Sequence, residues 1–181
     1  MRVFLAILSL FVLTGVTAQE KKQDIFEPGQ RPHSFYAEAG GPGLYYSLNY
    51  DTRFRETRNA WGIRAGVGYT ALDDHKLFAL PVQLTYFLGK NGNYFEMGGG
   101  ATYLNTRDRH IYYDYDEEGE WTMPKERIEI EKDNQIMGTL TMGYRRQPLD
   151  GGFLFRVGFS PILRGNEFIP YLPYISFGYS L

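Results

Sequence analysis

Five charged residues stand inside stretches of apolar residues and glycine, where ionised side chains are uncommon. They are Glu38, Arg64, Glu96, Arg145 and Arg156. Carboxylates and guanidiniums that are hidden from water have to pair and share hydrogen bonds, because an unpaired buried charge is strongly destabilising. Two roles are open to such a set: a salt-bridged core, or a gated or narrow path for ions. The choice depends on the elements that position these residues.

The stretch W-G-I-R-A-G-V-G-Y at residues 61–69 contains Arg64 and shows how this arginine would be positioned. Side chains alternate across a β-strand, so one face of the segment is bulky and the other is small. The bulky face holds Trp61, Ile63, Ala65, Val67 and Tyr69, and the small face holds Gly62, Arg64, Gly66 and Gly68. This pattern is typical of a strand whose outside meets lipid and whose inside is narrow and polar. The aromatic ends then mark the two membrane interfaces, with Trp61 on the periplasmic side.

The same alternation recurs along the chain and predicts eight strands. They lie at about residues 34–40, 44–54, 61–69, 77–88, 94–104, 135–146, 153–161 and 171–181. The five charged residues all fall on faces opposite the aromatic-rich ones. The sequence therefore predicts an all-β fold: an eight-stranded antiparallel transmembrane up-and-down β-barrel over residues 34–181. Side chains fill a barrel of this size, which favours the salt-bridged core and makes Glu38 or Glu96 the expected partner of Arg64.

Composition agrees with a barrel and excludes several other classes. Mean hydropathy is only −0.37, although aromatic residues make up 17% of the chain. A membrane-spanning helix needs about 20 consecutive apolar residues, whereas a barrel strand needs an apolar residue only at every second position. The absence of cysteine excludes a disulfide scaffold and a lipid anchor on cysteine. A net charge of −2 without a basic cluster gives no indication of nucleic-acid binding.

The first residues indicate export from the cytoplasm. Arg2 is followed by a mostly apolar run at residues 3–16 and by a small-residue site, so we expect residues 1–18 to be a signal peptide cleaved after Ala18. The polar residues 19–33 are predicted to form a periplasmic lead-in. The expected location is the outer membrane of a Gram-negative bacterium, with lipid as the surrounding partner.

The connection at about residues 105–134 is predicted to be a long acidic extracellular loop, because it follows the fifth strand and both termini are expected in the periplasm. It holds ten acidic and five basic residues. Alternation at residues 127–131 leaves open that the flanking strands extend into it as a hairpin. Residues 114–119 resemble the start of a calcium loop, but Lys125 stands where a bidentate glutamate is required, so we expect no proper calcium site and no cofactor, and only loose binding of divalent cations stays open. Four aromatic residues could anchor an extracellular ligand or protein: Tyr112, Tyr113, Tyr115 and Trp121.

The pattern of eight strands resembles the small eight-stranded outer-membrane barrels, the class of the OmpA transmembrane domain and OmpX. Its most specific part is the last strand, where Ile175, Phe177 and Tyr179 alternate up to the final residue, Leu181. The resemblance implies recognition of this strand by the barrel-assembly machinery. The resemblance carries no activity with it; from the residues themselves we expect a structural or surface-binding role through loop 105–134, with an interior filled by Glu/Arg pairs instead of an open pore.

Two alternatives remain open at this point. A lipid-modifying barrel enzyme of the acyltransferase or deacylase type would need a histidine with a serine or an acid beside it. His110 near Asp108 is the best candidate, but no recognisable motif surrounds it, so we do not expect an enzyme. A soluble lipocalin-like barrel would be apolar inside and polar outside, and the arginine- and glycine-rich faces disfavour it.

Overall fold

The computed structural model describes residues 30–72, 74–114 and 125–181, and nearly all of them lie in antiparallel β-structure. Its strands are β1 His33–Gly40, β2 Tyr46–Arg53, β3 Trp61–Leu72, β4 His75–Lys90, β5 Asn93–Asp114, β6 Lys125–Arg146, β7 Gly152–Phe159, β8 Ile162–Arg164, β9 Glu167–Ile169 and β10 Pro173–Ser180. A 3-10 turn, Gly41–Gly43, follows β1. Within the described ranges, no helix is both long and apolar enough to span a membrane.

Eight of the strands form one continuous ladder. Each strand from β1 to β6 pairs with the next one along the chain, β7 pairs with β10, and β10 pairs with β1. Every one of these strands therefore has a hydrogen-bonded neighbour on both sides. The all-β, eight-stranded antiparallel architecture expected from the sequence is confirmed.

The two ends of the barrel differ, and we name them by their elements. The terminal end is where β1 begins and β10 ends, and the connections there are short. The hairpin end is where β5 ends and β6 begins. At this end β5 and β6 continue beyond the other strands, because β4 pairs with β5 only as far as His75 opposite Asp108.

The extension of the flanking strands into residues 105–134, which the sequence left open, is present in the structure. β5 and β6 pair without interruption from Asn93 opposite Arg146 to Asp114 opposite Lys125. The alternation at residues 127–131 continues on both strands, so the charged side chains occupy the two exposed faces of a hairpin instead of interrupting it. Residues 115–124 lie outside the described part of the chain, and so do residues 1–29, which contain the predicted signal peptide and most of the lead-in.

A second difference lies between β7 and β10, where the sequence predicted only a connection. Residues 162–169 contain a short hairpin, β8 and β9, and β8 pairs with β6 at Gly138 and Thr139. β6 thus pairs with β7 near the terminal end and with β8 near the hairpin end.

The outer surface carries an apolar belt between two rings of aromatic residues, as in transmembrane barrels. Near the terminal end, every strand of the ladder has one outward-facing aromatic residue: Phe35, Tyr50, Trp61, Tyr86, Phe95, Tyr144, Phe153 and Tyr179. A second set lies towards the hairpin end: Tyr46, Tyr69, Phe78, Tyr103, Phe159 and Tyr171. The side chains between the two sets are aliphatic for the most part, for example Leu48, Val67 and Leu84, and they are exposed.

Candidate functional site: the charged interior and the hairpin

The five charged residues singled out in the sequence meet inside the barrel. Glu38, Arg64, Glu96, Arg145 and Arg156 are each 2% exposed or less, and they come from five different strands. Period-two alternation places each of them on the inner face of its strand. Five strands thus each direct one charged side chain into the same region of the interior.

Arg156 lies at the centre of the arrangement. Its Nε and Nη2 atoms donate to the two carboxylate oxygens of Glu96 at 2.7 and 2.8 Å, and its Nη1 atom donates to Glu38 Oε2 at 2.8 Å. The other oxygen of Glu38 accepts a hydrogen bond from Arg64 Nη2. Because a bidentate arginine–carboxylate contact fixes both partners in one plane, Arg156 ties β5, β1 and its own strand, β7, together.

Two further charged residues belong to the cluster, although sequence analysis did not select them. Asp51 Oδ2 lies 2.5 Å from Arg145 Nη1, and Asp51 Oδ1 lies 3.7 Å from Arg53 Nη2. Arg145 Nη1 is also 3.7 Å from Glu96. The signal was present in the sequence, because both residues share the inner face of β2 with Asn49. The predicted second strand, residues 44–54, contained both of them, but they stand near its end and were not counted among the interior charges.

Together these contacts form one alternating series, which we call the ion-pair chain. Its order is Arg64, Glu38, Arg156, Glu96, Arg145, Asp51 and Arg53. Each carboxylate lies between two arginines, and four positive charges face three negative ones. Such alternation compensates nearly all of the charge where it is buried, which is the condition for stable buried ions.

The strands that supply no charge to this chain complete it with neutral hydrogen-bonding groups. Gln83 of β4 accepts from Arg64 at 3.4 Å and donates to Thr139 at 3.0 Å. Ser176 of β10 donates to Glu38 Oε2 at 2.9 Å, and Gln147 accepts from Arg145 at 2.8 Å. All eight strands of the ladder therefore contribute a polar or charged side chain to the interior.

Aromatic rings cover the faces of the guanidinium groups. The ring of Phe87 lies 3.8 Å from Arg53 Cζ and 4.4 Å from Arg145 Cζ, measured to the ring centre. The ring of Tyr36 lies 4.5 Å from Arg156 Cζ. A planar guanidinium can donate hydrogen bonds at its edge while its face packs on a ring, so these contacts fill space without displacing a carboxylate.

The interior is blocked towards the hairpin end. The turn Gly41–Gly43 is buried, and the carbonyl oxygen of Pro42 accepts a hydrogen bond from Thr102 Oγ1 at 2.9 Å. Positive φ angles at Gly40 and Gly41 let the backbone fold inward at this point. Beside the turn lies an apolar cluster that we call the cap: Ala79, Leu104, Met137 and Ile162, with Leu44, Leu77 and Leu172 packed against it.

The residues proposed as a partner-binding surface are only partly described. Tyr112 is exposed on β5, whereas the side chain of Tyr113 and the whole of Tyr115 and Trp121 lie outside the described part of the chain. The partial calcium-loop match at residues 114–119 falls almost entirely in the same gap. Among the described residues there is no group of side chains that could hold a metal ion.

The histidine pairing that the sequence suggested differs from the one in the structure. Asp108 lies 2.6 Å from His75 Nδ1, and His110 Nε2 is instead 3.8 Å from Glu131. In the described ranges, neither histidine has a hydrogen bond to a serine.

The fold is similar to those of two solved outer-membrane proteins. The N-terminal β-barrel domain of OprF from Pseudomonas aeruginosa matches with a TM-score of 0.56 at 8% identity, covering 83% of this chain and 96% of that domain. Neisserial surface protein A matches with a TM-score of 0.41 at 10% identity, covering 83% and 92%. No family model and no curated protein matches the sequence. The chain has the fold of the small eight-stranded outer-membrane barrels, as its alternation predicted.

Proposed function

We propose that this chain is an outer-membrane barrel that does not conduct and that holds the β5–β6 hairpin outside the membrane as a binding surface. The belt of exposed apolar side chains between two aromatic rings supports the membrane location, because a soluble protein would not leave such a belt in water. The soluble lipocalin-like alternative requires an apolar interior, and here the interior holds the ion-pair chain.

The observation that carries the proposal is the filled interior. The ion-pair chain crosses the barrel, and the buried turn Gly41–Gly43 and the cap block it towards the hairpin end. An open path for ions would need water between these groups, yet the seven charged side chains are each at most 3% exposed. The barrel therefore serves as a rigid support instead of a channel.

The binding role rests on the part of the hairpin that no other strand covers. Beyond Asp108, β5 pairs only with β6, so this stem projects from the barrel. It exposes Ile111, Tyr112 and Ile130, with exposed fractions between 40% and 63%. Exposed aromatic and aliphatic side chains on a fixed two-stranded support are suited to binding a protein or another extracellular ligand. The exposed outward residues of β10, such as Phe177, suit recognition by the barrel-assembly machinery.

Two measurements test the membrane location and the filled interior. The purified protein should need detergent and should migrate differently on a gel before and after heating. In planar bilayers it should insert without stepwise conductance. Monodisperse folded protein in detergent-free buffer would contradict the membrane location, and regular conductance steps would contradict the filled interior.

The orientation of the hairpin can be tested with single cysteines, because the chain contains none. Tyr112→Cys at the hairpin end should react with a membrane-impermeant maleimide on intact cells. Lys90→Cys at the terminal end is the matched control and should react only after the cells are broken. The reverse pattern would show that the hairpin lies in the periplasm and would refute the surface-binding role.

A further inference from the structure

The stem of the β5–β6 hairpin carries opposite charges on its two faces, although the sequence of this region reads as acidic overall. One face continues the outward, lipid-facing side of the barrel, because residues 103, 105, 107 and 109 share one side of β5. This outward face holds Lys76, Arg107, Arg109 and Lys132. The opposite face holds Asp108, Glu129, Glu131 and Asp133, and His110 and Arg127 lie on it as well.

Three of the four cations are direct neighbours across adjacent strands. Lys76 of β4 lies opposite Arg107 of β5, and Arg107 lies opposite Lys132 of β6. Cross-strand neighbours are only about 5 Å apart at Cα, and like charges placed opposite each other are destabilising. None of the four cations forms an ion pair with another residue in the described part of the chain. A bound anion would remove the repulsion.

The surface around these cations is concave and has two chemical halves. A groove of about 380 Å³ is lined by Tyr69 and Phe78 on one side and by Lys76 and Arg107 on the other. Tyr69 and Phe78 belong to the second aromatic set of the lipid-facing belt, the one towards the hairpin end. An occupant of this groove would need an apolar part beside the rings and an anionic part beside the cations.

A second groove of about 290 Å³ continues the first, since Lys76 and Arg107 line both. Arg109 and Lys132 add two more positive charges to its wall. Two carboxylates also border it: Asp108, which is already engaged by His75 at 2.6 Å, and Asp74. The cations still outnumber the acids by two to one. The larger groove thus leads from the belt into a basic recess.

We propose that this outward face binds the phosphate groups of the lipids that surround the barrel in the outer leaflet. The inference rests on the proposed membrane location, because the basic row lies directly beyond the belt, where head groups would be. Arginine can hold a phosphate with two parallel hydrogen bonds, and lysine adds a point charge. The adjoining aromatic side chains favour a lipid over free phosphate as the occupant.

The test uses the full-length protein refolded in zwitterionic detergent and counts bound lipid by native mass spectrometry. Bis-phosphorylated lipid A is the probe, with fully dephosphorylated lipid A and inorganic phosphate as comparison compounds. The variant Lys76→Gln/Arg107→Gln/Arg109→Gln/Lys132→Gln should bind the phosphorylated lipid at least about tenfold more weakly, since each surface cation contributes measurably to binding anionic lipid. Binding by the original protein should weaken as salt is raised.

Because the quadruple variant could lose binding by folding poorly, two single variants serve as a matched control. Arg107→Gln on the outward face should weaken binding, and Arg127→Gln on the opposite face should leave it unchanged. Equal effects of the two single variants would overturn the inference, as would equal binding of dephosphorylated lipid A. Displacement of the lipid by equimolar inorganic phosphate would show that free phosphate is the ligand.

The experiment separates this inference from the proposed function. If heat-modifiable, detergent-dependent protein binds the lipid equally well with and without the four cations, only the phosphate site is refuted. If the protein is folded and monodisperse without detergent, the membrane location fails and the inference fails with it.

Discussion

Two ion pairs in this protein have the same length and opposite surroundings. Arg156 Nε lies 2.7 Å from Glu96 in the barrel interior, and Arg127 Nη2 lies 2.7 Å from Glu129 on the hairpin. The interior side chains are 0% and 1% exposed, whereas the hairpin side chains are 66% and 48% exposed. Inside, each charge needs a fixed partner because water is absent. On the hairpin, water solvates the charges, so they can be arranged for binding instead of for stability.

The largest effect should follow removal of the central interior arginine. Arg156→Met leaves the carboxylates of Glu38 and Glu96 each short of one partner in a buried site, so we expect a loss of about 3–5 kcal/mol or failure to fold. Urea unfolding in detergent micelles, followed by the gel shift, measures it. Arg156→Lys keeps the charge and should lose less. A loss below about 1 kcal/mol for the methionine variant would show that the interior tolerates unpaired charge.

The apolar cap provides the next test, because it is the uncharged part of the same interior. Leu104→Ala removes a side chain that is only 5% exposed and should lower the free energy of unfolding by about 2–4 kcal/mol through lost burial and a cavity. The same unfolding assay measures it, and Leu163→Ala on the exposed hairpin of β8 serves as control. If both substitutions had the same small effect, the cap would not be packed as described.

A smaller effect is expected at the inward-folded turn. A methyl group added at Gly41 would lie 2.9 Å from a carboxylate oxygen of Glu38, and Gly41 has φ +65°. Gly165 has a similar φ of +56° but open space around it. Gly41→Ala should therefore be more destabilising than Gly165→Ala, by about 1–2 kcal/mol. Equal losses would mean that only the backbone conformation matters and that the turn is not tightly enclosed.

The smallest effect belongs to the exposed pair on the hairpin. A double-mutant cycle with Arg127→Gln and Glu129→Gln should give a coupling energy below about 0.5 kcal/mol, which vanishes in high salt. The same cycle with Arg156→Gln and Glu96→Gln should give a coupling several times larger. Similar values for the two cycles would contradict the view that burial, and not distance, sets the strength of these pairs.

Sequence alternation predicted the fold because barrel strands have only two environments. Arg64 and Arg156 could be assigned to the interior because each sits alone between glycines and apolar residues on a regular strand. Asp51 and Arg53 also lie in a predicted strand, but they stand at its end, next to the polar residues 55–59, and a charge at a strand end gives a weaker indication of burial than a charge between apolar residues.

Other features depend on three-dimensional arrangement and leave no local trace. The acidic composition at residues 105–134 suggested a solvated loop, because composition does not reveal which face each charge occupies. Only the register of Arg107 opposite Lys132 separates the basic face from the acidic one. The inward course of the turn Gly41–Gly43 is likewise invisible in its glycine-rich sequence, which permits an outward turn equally well.

The buried turn also bears on the order in which the barrel assembles. It is surrounded by strands from both halves of the chain, with Thr102 of β5 bonded to Pro42 and with Tyr174 of β10 beside Gly41. We therefore expect the hairpin of β1 and β2 to form before β10 pairs with β1, because the cap and the last strand would obstruct the inward fold of the turn once the ladder is complete. The first turn would then act as the template around which the last strand completes the barrel.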